Sequence, residues 1–388
     1  MNIDEIVREL VNIQNRKNMR IPSRLRLYFG EIKFKNRAVL ITGSRGVGKT
    51  TFMLSKIANQ RVFYASADNP LVSSTDLWTL ANAAFMKGYE GIAIDEVHYA
   101  KDWSIHLKAI FDSFPDKMIL ASDSSSLVLR SGTADLSRRF SRVNIPLLSL
   151  REFMHLKDGT ELPIIDPLAG IDSSDVKRVL DTANVLAEFE DYLRRGFRPS
   201  YLVWDHGEQI EYIVEKTLHG DVPFFVSQIS KTHFRLMRAI MGLLSASKVP
   251  TINVESMCRD WGVGKQKLYE LLDVMSGTGL IRVVYRENDR KAFSKGAKIL
   301  LADPSFYSLS GGNIGTQREA FVVQSFADSG KRVFACNDER NCDFVVDGVS
   351  IEVGGKNKRR KEADFVVRDD IDIPHSENLP LWVLGFQY

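Results

Sequence analysis

The sequence predicts an α/β fold built around a buried parallel sheet, and three observations carry that expectation. Five short apolar runs lack polar alternation: AVLITG (38–43), RVFYAS (61–66), GIAIDE (91–96), KMILAS (117–122) and RVNIPL (142–147). That is the pattern of strands covered on both faces. The segments between them, such as TTFMLSKIA and WSIHLKAIFDSF, carry helical spacing, and strand–helix alternation implies a parallel sheet with helices on both sides. The first run also passes directly into a loop rich in glycine.

Taken in chain order, residues 1–36 read as an N-terminal helix followed by a basic connector, RKNMRIPSRLR. The strand-rich core spans 37–156. Residues 157–248 read as a helical lid, with periodic runs VKRVLDTANVLAEFEDYLRR and THFRLMRAIMGLL. Residues 249–295 read as helix, turn, helix and a β-hairpin wing, and 296–388 as a second α/β domain.

Composition is that of an ordinary globular chain, with 388 residues, 44% hydrophobic and 26% charged. No run approaches the roughly 18 apolar residues that a membrane-crossing helix needs. The charged start, MNIDEIVRELVNIQNRKNMR, is unlike a secretory signal. Cys258, Cys336 and Cys342 have no metal-type spacing and are read as reduced thiols of a cytoplasmic protein. A net charge of +3 is too small to imply any partner.

The glycine loop fits G-x-x-x-x-G-K-T as Gly43-Ser44-Arg45-Gly46-Val47-Gly48-Lys49-Thr50, followed by Thr51. Glycines let successive backbone N–H groups turn toward phosphate oxygens, and the next helix adds its positive N-terminal end. Lys49 is placed to reach the outer phosphates of ATP, and Thr50 to offer a hydroxyl to Mg²⁺. GIAIDE ends on Asp95 and Glu96, about forty-five residues further on. An aspartate at a strand end suits the metal's water shell, and the neighbouring glutamate suits a general base acting on water. The next strand ends in Ser122, Asp123 and Ser124, any of which could sense the outer phosphate. Ser124 equally suits a helix N-cap. Arg138, Arg139 and Arg142 are candidates for an arginine finger, or for a basic surface segment. His98 reads either as support for Asp95 or as a capping or surface histidine, and Arg198 as a lid sensor or a turn residue.

This combination resembles the AAA+ ATPases, and more closely a prokaryotic branch of them. That branch joins an AAA+ module to a winged helix and a C-terminal restriction-endonuclease-like domain. The resemblance rests on RKNMRIPSRLRLYFGEI, LITGSRGVGKTT, IAIDEVHYAKDW, ILASDSSSLVL, ADLSRRF and IPLLSLREFMHL. Two departures stand out: the sensor strand ends Ser122-Asp123 where the branch has Gly-Ser, and Ser137-Arg138-Arg139 replaces its Gly-Arg. The resemblance implies ATP and Mg²⁺ as ligands and a homo-oligomer with its site between subunits. It also implies that nucleotide turnover is coupled to DNA or a protein partner.

In the helix-turn-helix stretch, Lys265 and Lys267 open the second helix, and Arg282, Arg286, Arg290 and Lys291 mark the wing. These suit either DNA contact or a protein-binding module. In the last domain the resemblance points to a nuclease-type carboxylate set at Glu319, Asp343 and Glu352. The lysine expected two residues after Glu352 is Gly354, so Lys356 or Lys358 would have to substitute from a loop. A degenerate, non-cutting nuclease fold is the expectation, with GGKNKRRKEAD as a candidate phosphate-contacting run. Two alternatives stay open: an ATP-dependent switch that does not hydrolyse, and an ATP-regulated nuclease.

Overall fold

The structure, a computed structural model, describes the chain apart from residues 125–135, 172, 203–205, 227, 249–250, 288, 290–296 and 310. Arg290, Lys291 and parts of the ILASDSSSLVL and ADLSRRF stretches therefore lie outside the described residues. The chain divides into two units, Met1–Pro146 and Leu147–Tyr388.

In the first unit, helix α1 (Ile3–Asn18) opens on a capping box between Asn2 and Glu5 and buries Ile6, Val7 and Leu10. A short helix α2 (Leu27–Glu31) follows within the connector. The five apolar runs all form strands: β1 (Ala38–Thr42), β2 (Val62–Ser66), β3 (Gly91–Asp95), β4 (Met118–Asp123) and β5 (Ser141–Asn144). Every residue of β1 and β3 is buried, which is why those runs show no alternation. Between them run α3 (Lys49–Ile57), α4 (Pro70–Ser73), α5 (Leu77–Met86) and α6 (Trp103–Ser113). All four pairings are parallel and the order is β2-β3-β4-β1-β5. Inserting β4 between β1 and β3 brings the ends of those three strands, Thr42, Asp95 and Asp123, to one edge of the sheet. In parallel sheets ligands bind beyond that carboxyl edge.

The second unit begins with helices, as the periodic runs require: α7 (Leu150–Asp158), α8 (Ser173–Thr182), α9 (Val185–Arg195), α10 (His206–Lys216) and α11 (Lys231–Ala246). Arg198, just after α9, is buried in an ion pair with Asp303. Next come α12 (Val254–Trp261) and α13 (Lys265–Gly277), separated by a turn on Gly262 in the left-handed region. Strand β6 (Ile281–Val284) pairs antiparallel with β7 (Lys298–Leu301). Within GLIRVVYRENDRK the first strand of the expected wing forms, and its partner is the apolar run KILL, further along the chain.

After α14 (Ser305–Leu309) and α15 (Ile314–Asp328), a second sheet forms from β8 (Val333–Ala335), β9 (Phe344–Val346), β10 (Val349–Gly354), β11 (Phe365–Arg368) and β12 (Asn378–Pro380). β8, β9 and β10 are antiparallel neighbours, whereas β10, β11 and β12 pair in parallel.

One expectation is corrected here. Cys336 and Cys342 form a disulfide, so among the described residues only Cys258 is a free thiol. The two cysteines flank the β8–β9 connection, where Cys336 N donates to Asp343 O at 3.2 Å and the Cα atoms come within 5.8 Å. A six-residue separation matches no motif; the hairpin pairing across it brings the sulfurs together.

Candidate functional site

The glycine loop runs from β1 into α3 at the edge where the strand ends meet. Gly43, Gly46 and Gly48 all have positive φ, at 148°, 84° and 96°, a backbone that other residues adopt only with strain. A Cβ on Gly43 would also collide with the Ile145 carbonyl. Ser44 and Arg45 are half-buried, Gly46 is exposed and Val47 is buried; Thr51 lies half-buried in the first turn of α3. Lys49 is 5% exposed, and its ammonium donates to Gly43 O at 2.9 Å and Ser44 O at 3.3 Å. A buried cation whose hydrogen-bond partners among the described residues are the loop's own carbonyls is matched to an incoming anion.

Thr50 Oγ1 donates to Asp95 Oδ2 at 2.6 Å. The threonine's single hydrogen is committed to the carboxylate, so its lone pairs stay available to a cation. Asp95 is 2% exposed, and its other oxygen accepts from the Ser122 hydroxyl. Ser122 Oγ also accepts from Glu96 N at 3.3 Å, so one serine braces both acidic residues. The paired hydroxyl and carboxylate form a hard, oxygen-only donor set suited to Mg²⁺.

Glu96 follows β3 with φ 50° and ψ 52°, a left-handed conformation uncommon for a non-glycine residue. Its Oε2 is buried and has no hydrogen-bond partner among the described residues, while Oε1 lies 4.0 Å from Arg45. Burial pushes the Glu96 carboxyl above the usual range; Lys49 and Arg45 oppose the shift, and Asp95 and Asp123 add to it. A carboxylate oxygen with an unfilled acceptor beside an anion-binding loop is a place for an ordered water.

Of the three candidate sensor residues, Ser122 is the one that meets Asp95. Asp123 is fully buried and engages His98, accepting from its backbone N at 3.2 Å and lying 2.7 Å from its ring Nδ1. His98 is itself only 6% exposed. Of the arginines, Arg139 makes a two-point contact with Asp112 on α6, at 2.8 and 3.0 Å, whereas Arg138 is exposed.

Residues 35–154 match the AAA domain family model. The five-stranded parallel sheet and the glycine loop of that segment agree with an AAA domain. Among solved structures, the chain is similar to a Walker-type ATPase of Pyrococcus abyssi, at 13% identity and a TM-score of 0.43, over 71% of this chain and 91% of that one. It is also similar to the AMPPCP-bound DnaA from Aquifex aeolicus, at 18% identity and a TM-score of 0.25, over 64% and 84% of the two chains. Overlaps this low carry no weight for function. The search of curated proteins yields no match.

Three residues around the glycine loop and Asp95 belong to no motif in the sequence. Arg26, from the basic connector, is 3% exposed and donates to Val47 O at 2.9 Å and Pro146 O at 2.8 Å, bracing the glycine loop. Tyr64 on β2 donates to Asp95 Oδ2 at 2.8 Å, and Lys17 on α1 donates to Tyr64 Oη at 2.9 Å. Only the tertiary fold brings Arg26 to the loop and Tyr64 with Lys17 to Asp95.

In the second unit the three acidic candidates lie on α15 (Glu319), before β9 (Asp343) and on β10 (Glu352), each faced by ammonium groups. Lys298 Nζ lies 2.9 Å from Glu319 and 3.7 Å from Asp343, and Asp343 also accepts from Val353 N at 2.8 Å. Burial opposes the Lys298 charge, but Glu319 and Asp343 outweigh it and hold its pKa up. Glu352 is fully buried, with Lys358 at 2.8 Å and Lys361 at 2.9 Å from Oε1, neither aligned as a hydrogen bond. A side chain at position 354 would run into the aliphatic stem of Lys358. Among the described residues no three His, Cys, Asp or Glu groups converge as a metal cage. In the helix-turn-helix, Lys265 and Lys267 pair with Glu255 and Glu270, and Arg282 with Asp328. Among the described residues no helix is long and apolar enough to cross a membrane.

Proposed function

We propose that the AAA domain binds ATP with Mg²⁺ and hydrolyses it, and that the second unit couples this cycle to DNA or a protein partner in a homo-oligomer. The observation that carries the reading is the Lys49–Thr50–Asp95–Glu96 constellation: a buried cation in a glycine loop, a hydroxyl bonded to a carboxylate, and an unfilled carboxylate oxygen next to both.

The loop amides and Lys49 bind the outer phosphates and draw off the charge that develops on them. Thr50 and Asp95 would hold the metal. Bound there, magnesium neutralises charge on the phosphoryl oxygens. Glu96 accepts a proton from the attacking water as its oxygen bonds to the terminal phosphorus, and the bond to the departing ADP oxygen breaks. Ser122 keeps the Asp95 carboxylate and the Glu96 backbone in register. Arg138, exposed and outside the Asp112 pair, is suited to reach a neighbouring subunit's phosphates, as is the exposed Arg142.

The test is a steady phosphate-release assay on the full chain with a parallel binding titration of a fluorescent ATP analogue. Saturable binding with continuous release supports hydrolysis. Saturable binding with at most one turnover per chain would favour the ATP-dependent switch.

For the second unit, α12, α13, β6 and β7 support a winged-helix reading, and α15 with its mixed sheet supports a nuclease-like domain that does not cut. Three ammonium groups neutralise the carboxylates that would otherwise gather a metal. One observation favours active cutting: Lys358 occupies the space a lysine at position 354 would fill and ends on Glu352. Plasmid nicking in Mg²⁺ should be absent; nicking that disappears in Asp343→Ala would establish the cutting reading instead.

A further inference from the structure

Asp95 draws hydrogens from three hydroxyls, and one of them comes from outside the glycine loop and the sensor strand. Tyr64 sits on β2, paired in register with Ala93 and two residues before Ser66, which is opposite Asp95. It is 1% exposed, and its hydroxyl bonds the same oxygen, Oδ2, that Thr50 bonds. A phenol has one hydrogen to give. An ionised carboxylate only accepts, so that hydrogen goes to Asp95. An ammonium has only donors, so Lys17 Nζ, 2.9 Å away, donates to the phenol oxygen.

Lys17 is in the last turn of α1, and α1 is clipped to β2 immediately beside the tyrosine. The Gln14 amide, 9% exposed, donates to Val62 O at 3.0 Å and accepts from Tyr64 N at 3.0 Å. These are strand-like bonds made by a side chain to the open edge of β2. The ammonium also lies 4.9 Å from the centre of the Tyr64 ring, within cation–π range. Where α1 docks thus decides where Lys17 sits, and Lys17, bonded to the phenol oxygen and close to the ring, holds Tyr64 where its hydroxyl meets Asp95.

We propose that Tyr64 and Lys17 are positioning residues for the metal-holding carboxylate, and that through them the docking of α1 on β2 is transmitted to the nucleotide site. The proposal rests on the reading of Asp95 as the Mg²⁺ aspartate. Partners of this kind orient a ligand's lone pairs, and a hydrogen donated to a carboxylate keeps it ionised, so what the metal gains is a fixed, charged oxygen. Without Tyr64, Oδ2 keeps only the Thr50 hydrogen and the carboxylate can turn. The cost falls on the metal and spares the phosphates, which Lys49 and the loop amides bind independently.

The experiment uses the full chain and separates nucleotide from metal. A fluorescent ATP analogue is titrated in EDTA, then Mg²⁺ is titrated at fixed nucleotide, and bound Mn²⁺ is counted by electron paramagnetic resonance. In Tyr64→Phe the EDTA affinity should stay within about twofold, while the half-saturating Mg²⁺ rises about tenfold, at the low end of the range for such partners. Lys17→Met, which keeps the stem against the ring, should move it the same way by less, and Lys17→Arg should restore it. Thermal unfolding of each variant tests that the fold persists. An unchanged Mg²⁺ requirement in Tyr64→Phe overturns the proposal. Equal losses with and without metal do so too, because they would mark a purely structural tyrosine. If the unsubstituted chain binds nucleotide with no dependence on Mg²⁺ at all, the assignment of Asp95 falls first and takes this proposal with it.

Discussion

Glu96→Gln should lower steady phosphate release by about 100- to 10,000-fold, the range a general base contributes, and leave nucleotide binding intact. Glutamine keeps the shape and length of the side chain, so the left-handed backbone at position 96 and the Ser122 bond to its N–H survive. What is lost is a group able to take a proton from water. The same residue sets a pH dependence whose sign follows from its environment. Burial raises the Glu96 carboxyl above its ordinary value, and only the ionised form can accept a proton. Release should therefore decline on acidification, at a pH above that at which an exposed glutamate titrates, and recover as the carboxyl ionises. The acid limb of a kcat profile measured in constant-ionic-strength buffers should flatten in Glu96→Gln. Wild-type turnover in the variant would remove Glu96 from the chemistry.

Arg138→Ala should reduce release by about 1,000-fold or more, the scale of a lost arginine finger, while Arg139→Ala changes it little. The reason is where each guanidinium is engaged. Arg139 is occupied by both oxygens of Asp112, at 2.8 and 3.0 Å; it is a solvent-exposed pair whose removal should change stability little. Arg138 is exposed on the same short segment. If it acts on the neighbouring subunit, mixing Arg138→Ala chains with Lys49→Ala chains, each inactive alone, should recover part of the activity. One subunit then supplies the loop and the other the arginine. Mixtures that stay inactive, or an Arg138→Ala chain with normal turnover, would rule out that role.

Features written in short stretches were readable before any coordinates. Strands β1 to β4 announced themselves because a strand covered on both faces needs an unbroken apolar run; the fifth run also holds a strand, but β5 lies at the sheet edge and alternates between half-buried and exposed residues. The loop announced itself because three positive-φ positions next to a buried lysine demand glycine at fixed spacing. The helix-turn-helix pair was visible through its periodicity and Gly262. The hairpin wing was misjudged because the partner of β6 lies beyond a polar stretch that the apolar pattern skips.

Residue chemistry left other choices open. Ser122 and Asp123 are adjacent and both polar, and nothing local ranks them. The pleat turns one toward Asp95 and the other toward His98. Cys336 and Cys342 looked like unrelated thiols until the β8–β9 turn opposed them.

Lys17, Arg26 and Tyr64 looked like ordinary connector and strand residues. The roles of Lys17 and Tyr64 arise from the order β2-β3-β4-β1-β5, which places β2 beside the strand bearing Asp95, and that of Arg26 from the connector meeting Val47 and Pro146. Burial periodicity and backbone conformation are properties of a few consecutive residues, so the chain spells them out locally. Which side chains share a carboxylate depends on strands far apart in sequence and on which face of the pleat each residue occupies, and that is settled when the sheet assembles.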